Sequence, residues 1–249
     1  MPRTKRKAAS SSKRQPSAKQ RKEGKSDTKA EIPDASVKAA VKDKLLYFDV
    51  YARAEPTRML YGIAGKEYED QRIKQMEWPA IKAEQPLGQM PVFECQHGTL
   101  VMSNTIARYV ARELGLAGSS SWEEALNDMV VETCFSCADG ISEKIYAWKM
   151  FRQPQPDNSE KLIEEIREKI TKSLKFIEAL ADKRGKKFIV SDKINLADVW
   201  LYNMLQFGRP AFPDLMSLTP WVKRFVERME ADDKMKKYLA SRPASEFGI

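Results

Sequence analysis

Histidine occurs once in these 249 residues and cysteine three times. A single histidine rules out most histidine-based metal centres. Three cysteines, odd in number and thinly spread, suit a reducing compartment rather than a disulfide framework. No apolar run reaches about 18 residues, so no membrane-spanning helix is expected. The N-terminal segment has no apolar stretch of the signal-peptide kind, so secretion is not expected either. Bulky apolar residues are missing from that segment altogether: no Leu, Phe, Tyr or Trp precedes Leu45.

What that segment has instead is charge of one sign. Residues 1–44 carry 14 Lys and Arg against 5 Asp and Glu, while the other 205 residues carry 29 against 30. The formal net charge of +8 therefore belongs to the tail. With so little apolar surface to bury, residues 1–44 cannot offset the entropy of ordering, and a disordered basic tail is predicted. Its clusters Lys5-Arg6-Lys7, Lys13-Arg14 and Arg21-Lys22 leave two readings open. One is a nuclear-import address or a contact to nucleic acid or another polyanion; the other is a solubilising extension. The tail is rich in Lys rather than Arg and has no apolar helix face, which does not fit a mitochondrial presequence.

The rest is long enough for two folded units with real cores. Leu45 to Val50 reads as a strand, followed by a turn at Tyr51-Ala52-Arg53 and a helix with Pro56 in its first turn and Gly65 at its end. Glu67 to Ile73 reads as a second strand. Glu77-Trp78-Pro79 opens an irregular helical piece, and Pro86 and Gly88 mark a loop. Pro91 to Cys95 and Thr99 to Met102 form a hairpin around Gln96-His97-Gly98, with His97 as a turn residue. A helix follows from Asn104 to Leu114, with Ser103 as its N-cap. The order β-α-β-α-β-β-α predicts a thioredoxin-like mixed sheet over 45–118.

Gly115 to Ser121 is a Gly/Ser linker, and 119–249 reads as all helix. Ser121-x-x-Glu124 suggests a capping box opening a helix to about Phe151. A second long helix covers about Ser159 to Lys183. Asn195-x-x-Asp198 is a further capping pair, with Ile194 and Val199 placed as a hydrophobic staple. Cys134 and Cys137 spell C-x-x-C, but a redox pair needs its first cysteine at a helix N-terminus, and these fall inside a helix.

Residues 85–109, QPLGQMPVFECQHGTLVMSNTIARY, carry the strongest signal. Backbone N–H groups after Ser103 point out of a helix N-terminus, where a small carboxylate would be held. Met90-Pro91 opens the strand beside it. X-Pro bonds are cis in only about 5–6% of cases, so composition alone leaves an ordinary hairpin and helix as the default. This run, with LLYFDVYARAEPTR (Leu45–Arg58) and EWPAIK, resembles the glutathione-binding half of the cytosolic glutathione transferases, the sigma class in particular. The resemblance extends from Lys44 to about Arg242 and is denser in the first half.

The resemblance implies a thioredoxin-like glutathione-binding domain, a helical second domain, a homodimer, and glutathione as co-substrate with no metal. It implies that Tyr47 donates to the glutathione sulfur and that Arg53 assists. Trp78 and Lys82 match residues at the glycyl end. Gly88, Gln89, Met90 and Pro91 match the loop and cis-proline, with Met90 pairing to the cysteinyl backbone. Ser103 matches the contact to the γ-glutamyl carboxylate. Two positions depart from the family pattern. Met102 stands where a Gln is usual, and Ser136 where the partner subunit often supplies an Asp to the γ-glutamyl amine. Tyr51, Ile141 and Tyr146 are candidates for an electrophile pocket, though such side chains serve equally well as core. Trp148 is out of register with the Trp of sigma-class prostaglandin D isomerases.

Three functions follow. One is a cytoplasmic glutathione transferase acting on small electrophiles. Another is a non-enzymatic relative that keeps the fold as a structural or tethering module. The third is a transferase domain directed to the nucleus or to nucleic acid by the tail.

Overall fold

A computed structural model describes residues 42–149 and 152–245. The tail's basic clusters and the stretch at Met150-Phe151 lie outside the described residues. Four strands form one sheet in the order β2-β1-β3-β4: β1 (Lys44–Phe48), β2 (Glu69–Ile73), β3 (Val92–Cys95) and β4 (Gly98–Val101). β1 runs parallel to β2 and antiparallel to β3, and β3 pairs antiparallel with β4. The run Leu45-Leu46-Tyr47 is buried on both faces, as an interior strand requires. Edge strand β2 alternates exposed Glu69 and Gln71 with half-buried Asp70 and Arg72, and its charge protects its outer side from further pairing.

Between β1 and β2 lies α1 (Glu55–Ala64). Pro56 sits in its first turn, and Gly65 ends it at φ 66°, a conformation that suits glycine. After β2 come the single-turn α2 (Trp78–Ile81) and the loop that leads to β3. Helix α3 (Ser103–Glu113) completes the predicted β-α-β-α-β-β-α order.

The second half is helical: α4 (Ser121–Ile141), a π turn over Ser142–Tyr146, α5 (Ala147–Lys149), α6 (Ser159–Arg184), α7 (Leu196–Gly208), α8 (Pro220–Ala231) and α9 (Asp233–Ser241). Helix α7 is its centre, buried from Leu196 to Leu205. No helix among the described residues is long and apolar enough to cross a membrane.

Strand ends shift by one or two residues from the sequence reading, and in the helical half two boundaries differ. The cap of α4 is Ser120, whose hydroxyl accepts from the Glu123 N–H, while the Glu123 carboxylate takes the Ser119 N–H at 2.9 Å. Three consecutive serines made the register ambiguous. The helix predicted to reach Phe151 also changes pitch after Ile141, where one extra residue enters the turn. The Asn195 capping box forms as expected, with the Asp198 carboxylate accepting from the Asn195 N–H at 3.0 Å. Ile194 and Val199 are both buried beside it.

The helical half is tied to the sheet half through α1 and α9. Gly62 lets them touch: a Cβ there would lie 2.2 Å from the Tyr238 ring. Tyr238 in turn donates to the buried Glu55 carboxylate at 2.7 Å, and Arg242 donates to the same oxygen at 3.0 Å.

Candidate active site

The loop before β3 and the start of α3 enclose a crevice of about 320 Å³. Gln89, Met90 and Pro91 form one wall, Met102 and Ser103 another, and Arg53 a third. The Met90–Pro91 bond is cis. Ser103 is buried and is the first residue of α3 rather than its cap; Met102 takes the cap position.

The backbone around the site is unusual. Among the described residues four non-glycines have positive φ: Ala52, Leu87, Met102 and Arg152. Leu87 at 59° and Met102 at 72° line this crevice, and Ala52 at 34° precedes Arg53. Each conformation costs on the order of 1–2 kcal/mol for an L residue and persists only where surrounding contacts impose it. Leu87 and Met102 are also largely exposed apolar side chains. Nothing in the sequence marked Leu87.

Tyr47 is not in the crevice wall, but the sheet brings it alongside. Leu46 pairs with Val92 as the last pair of the β1–β3 ladder, and Tyr47 and Pro91 are the next residues beyond it on the two strands. Burial pushes the Tyr47 phenol up from its ordinary 10.0. The Arg53 guanidinium, the Arg53 backbone N–H and the Arg58 guanidinium oppose that shift. The phenol therefore stays protonated at neutral pH and remains an O–H donor. Arg53 is half exposed, pairs with Asp139 on α4, and lies 5.4 Å above the Phe135 ring.

A second groove shares Arg53 and Phe135 with the first and continues along Ala52, Ala138, Ser142 and Phe207. Trp200 borders it, and its indole N–H is buried without an acceptor among the described residues. Neither Tyr51, Ile141 nor Tyr146 lines this groove. Ile141 and Tyr146 are core, and the Tyr146 hydroxyl donates to the Phe207 carbonyl. Tyr51 donates to the Pro243 carbonyl at 2.9 Å, and Arg242 stacks 3.9 Å from its ring.

Other predicted site residues also stand outside the crevice wall. Trp78 is half-buried, edge-to-face with Phe48 at 5.8 Å. Lys82 is exposed and passes the loop at Gly88, where a Cβ would meet its stem at 3.5 Å. Ser136 is exposed on α4, its carbonyl accepting from Lys169 at 2.8 Å. Cys134 and Cys137 are buried within α4, and burial pushes both thiols up.

A thioredoxin-like sheet with a cis-proline crevice, backed by a helical half, is the architecture of the glutathione transferase class. The sequence matches the family described as "Glutathione S-transferase, N-terminal domain" over residues 43–112 and "Glutathione S-transferase, C-terminal domain" over 141–242. It is 30% identical to glutathione S-transferase S1 of Drosophila melanogaster over 81% of this chain and 79% of that one. Among solved structures, the monomeric Na-GST-3 of Necator americanus superposes with a TM-score of 0.73 at 32% identity, covering 83% of this chain and 100% of that one. A Nu-class transferase from Haemonchus contortus gives 0.71 at 32% identity, covering 82% and 98%. The chain belongs to the glutathione S-transferase family of enzymes.

Proposed function

We propose that this chain binds glutathione in the crevice beside Pro91 and Ser103 and joins its sulfur to small electrophiles that approach along the adjoining groove. The observation that carries this reading is the place of Arg53. Its side chain lines both the crevice and the groove, and its charge opposes the upward push that burial gives the Tyr47 phenol.

The mechanism follows from the charge. A free thiol has a pKa of about 8.5, and lowering it by ~2 units requires roughly 2.7 kcal/mol of preference for the thiolate. The Tyr47 O–H donated to sulfur and the Arg53 charge nearby supply that preference in a partly dry site. The thiol proton leaves to solvent. The thiolate then attacks an electrophilic carbon, forming the C–S bond as the leaving group departs with its electron pair. With a hydroperoxide, the thiolate attacks the outer oxygen, the O–O bond breaks and the alcohol leaves with a proton from solvent; a second glutathione then attacks the sulfenic acid so formed, giving the disulfide and releasing water.

The Ser103 hydroxyl and the N–H groups at the start of α3 take the γ-glutamyl carboxylate, and the Met90 backbone pairs with the cysteinyl residue. Trp78 and Lys82 approach the glycyl end from the loop side. Tyr47-Phe48 and the ARAE and EWPAIK runs favour a sigma-like class, and the family habit favours a cytoplasmic homodimer. Retention on glutathione-agarose with conjugation of a generic aryl halide tests the assignment; absence of both would remove it.

The second reading, a non-enzymatic module carrying a nuclear or polyanion-binding tail, draws on Met102. That side chain is 56% exposed where the family has a polar amide. Nuclear enrichment that disappears on removal of residues 1–30 would support the tail's part in it, and an unchanged distribution would count against it.

A further inference from the structure

Helix α7 is the packed centre of the helical half, and a polar side chain buried on it costs stability unless something holds it there. Asp198 and Asn203 are both buried on α7. Asp198 is the capping partner of Asn195. Asn203 has no part in the cap. It is 4% exposed, inside the run Leu201-Tyr202-Asn203-Met204-Leu205, where a leucine has a similar shape and no amide to desolvate.

The amide's hydrogen bond gives it a purpose. Asn203 Nδ2 donates to the Ala52 carbonyl at 3.2 Å, joining positions 151 residues apart in the chain. Ala52 is the residue at φ 34°, a backbone that an alanine keeps only under restraint from its surroundings. Bonds within the turn run along the chain, from the Glu55 N–H to the Tyr51 and Ala52 carbonyls. They close the turn without fixing it to α7. The next residue is Arg53, whose side chain lines both the crevice and the groove. Its guanidinium is itself partly exposed, with Asp139 and the Phe135 ring as neighbours. Asn203 lines the same groove.

We propose that Asn203 is a positioning residue for Arg53: by holding the Ala52 carbonyl it keeps the left-handed turn that sets where the Arg53 charge stands. Without that bond Ala52 relaxes to negative φ, and the direction in which the Arg53 side chain leaves the backbone changes with it. The inference rests on the reading that Arg53 favours the thiolate of glutathione bound in the crevice.

Ultraviolet titration of glutathione bound to the full chain reads the place of that charge. Asn203→Leu keeps the shape and removes the donor. The pKa of the bound thiol is expected to rise by about one unit, which is about tenfold less thiolate on the acid side of the titration. A merely structural bond would lower the melting temperature and leave the titration where it was. Glycine adopts positive φ without strain, so in an Ala52→Gly background the same Asn203→Leu change is expected to move the titration by less than half as much. Asn203→Ala carries the same expectations if the leucine variant does not fold. A wild-type titration in either Asn203 variant overturns the proposal while leaving the crevice as the glutathione site. An equal displacement in the alanine and glycine backgrounds at position 52 overturns it too, since Asn203 would then act elsewhere than through the turn. Wild-type protein that neither binds glutathione nor ionises its thiol overturns the underlying reading, and this one with it.

Discussion

Asp139 on α4 pairs with the guanidinium of Arg53, the residue that joins the two halves of the site. The pair is partly exposed, with side chains 45% and 32% accessible. On the proposed mechanism, Asp139 works against the charge that Arg53 would offer a bound thiolate. A carboxylate several ångströms from the sulfur opposes its ionisation by roughly half a pKa unit in a partly wet site. Asp139→Asn should move the acid limb of the pH–rate profile down by about that amount, raising activity below neutrality. A limb that moved upward would mean that Asp139 orients Arg53 rather than damping it.

Tyr47→Phe keeps the ring packed between strand and helix and removes only the hydroxyl. The thiol pKa of bound glutathione should rise by about 2 units, with up to about a hundredfold loss of activity at pH 7 and recovery as pH is raised. Ultraviolet titration of the bound thiolate measures this directly. An unchanged thiolate titration would move the burden of ionisation to Arg53 and the backbone.

Much of the sheet half was legible because its signals are local. Pro56 and Gly65 bracket α1, the hairpin turns at Gln96-His97, and LLYF lacks the alternation of a half-exposed strand. The electrophile pocket was less legible. Ile141 and Tyr146 look the same in sequence whether they face a groove or a core. The π turn after Ile141 also rotates the following side chains relative to counted helical periodicity. Tyr51 is covered by Pro243, 192 residues away, a contact that no spacing rule reveals. The cross-helix pairs Arg53–Asp139 and Arg108–Glu132 were hidden for the same reason, as was the positive φ of Met102 and Leu87.

Asp198 gives a stability prediction. Its carboxylate accepts from the Ile189 and Asn195 N–H groups, both at 3.0 Å, in a fully buried position. Asp198→Ala strands both donors and should cost about 2–5 kcal/mol in denaturant unfolding. Burial raises the carboxyl from 3.8 to about 7, and the two donated bonds act against that rise. Between those values the folded chain holds a proton that the unfolded chain has lost. Stability contributed by this group therefore falls as pH rises from about 4 to about 7 and is flat outside that window. In Asp198→Asn that slope should vanish from the melting temperature measured against pH. A slope that persists in the variant would assign it to another group.

Arg58 is 1% exposed and links β1, the strand that carries Tyr47, to the α1–α9 contact. It donates to the Val50 and Phe48 carbonyls and to Asp70, stands 3.6 Å from Glu55, and lies 5.9 Å above the Tyr47 ring. Arg58→Met removes a charge from a dry network and strands two carbonyls, so a loss of about 3–5 kcal/mol is expected. Glu55→Gln alone should cost less in this network, since the amide oxygen can still accept from Tyr238 and Arg242. The double variant should lose less than the sum of the singles, because the charge left unpaired by one change is removed by the other. Urea unfolding of the four proteins measures the coupling. Strict additivity would show that Arg58 acts through the strand-end carbonyls and Asp70 alone. In that case the Glu55 cluster would hold α9 to α1 without help from the strand that carries Tyr47.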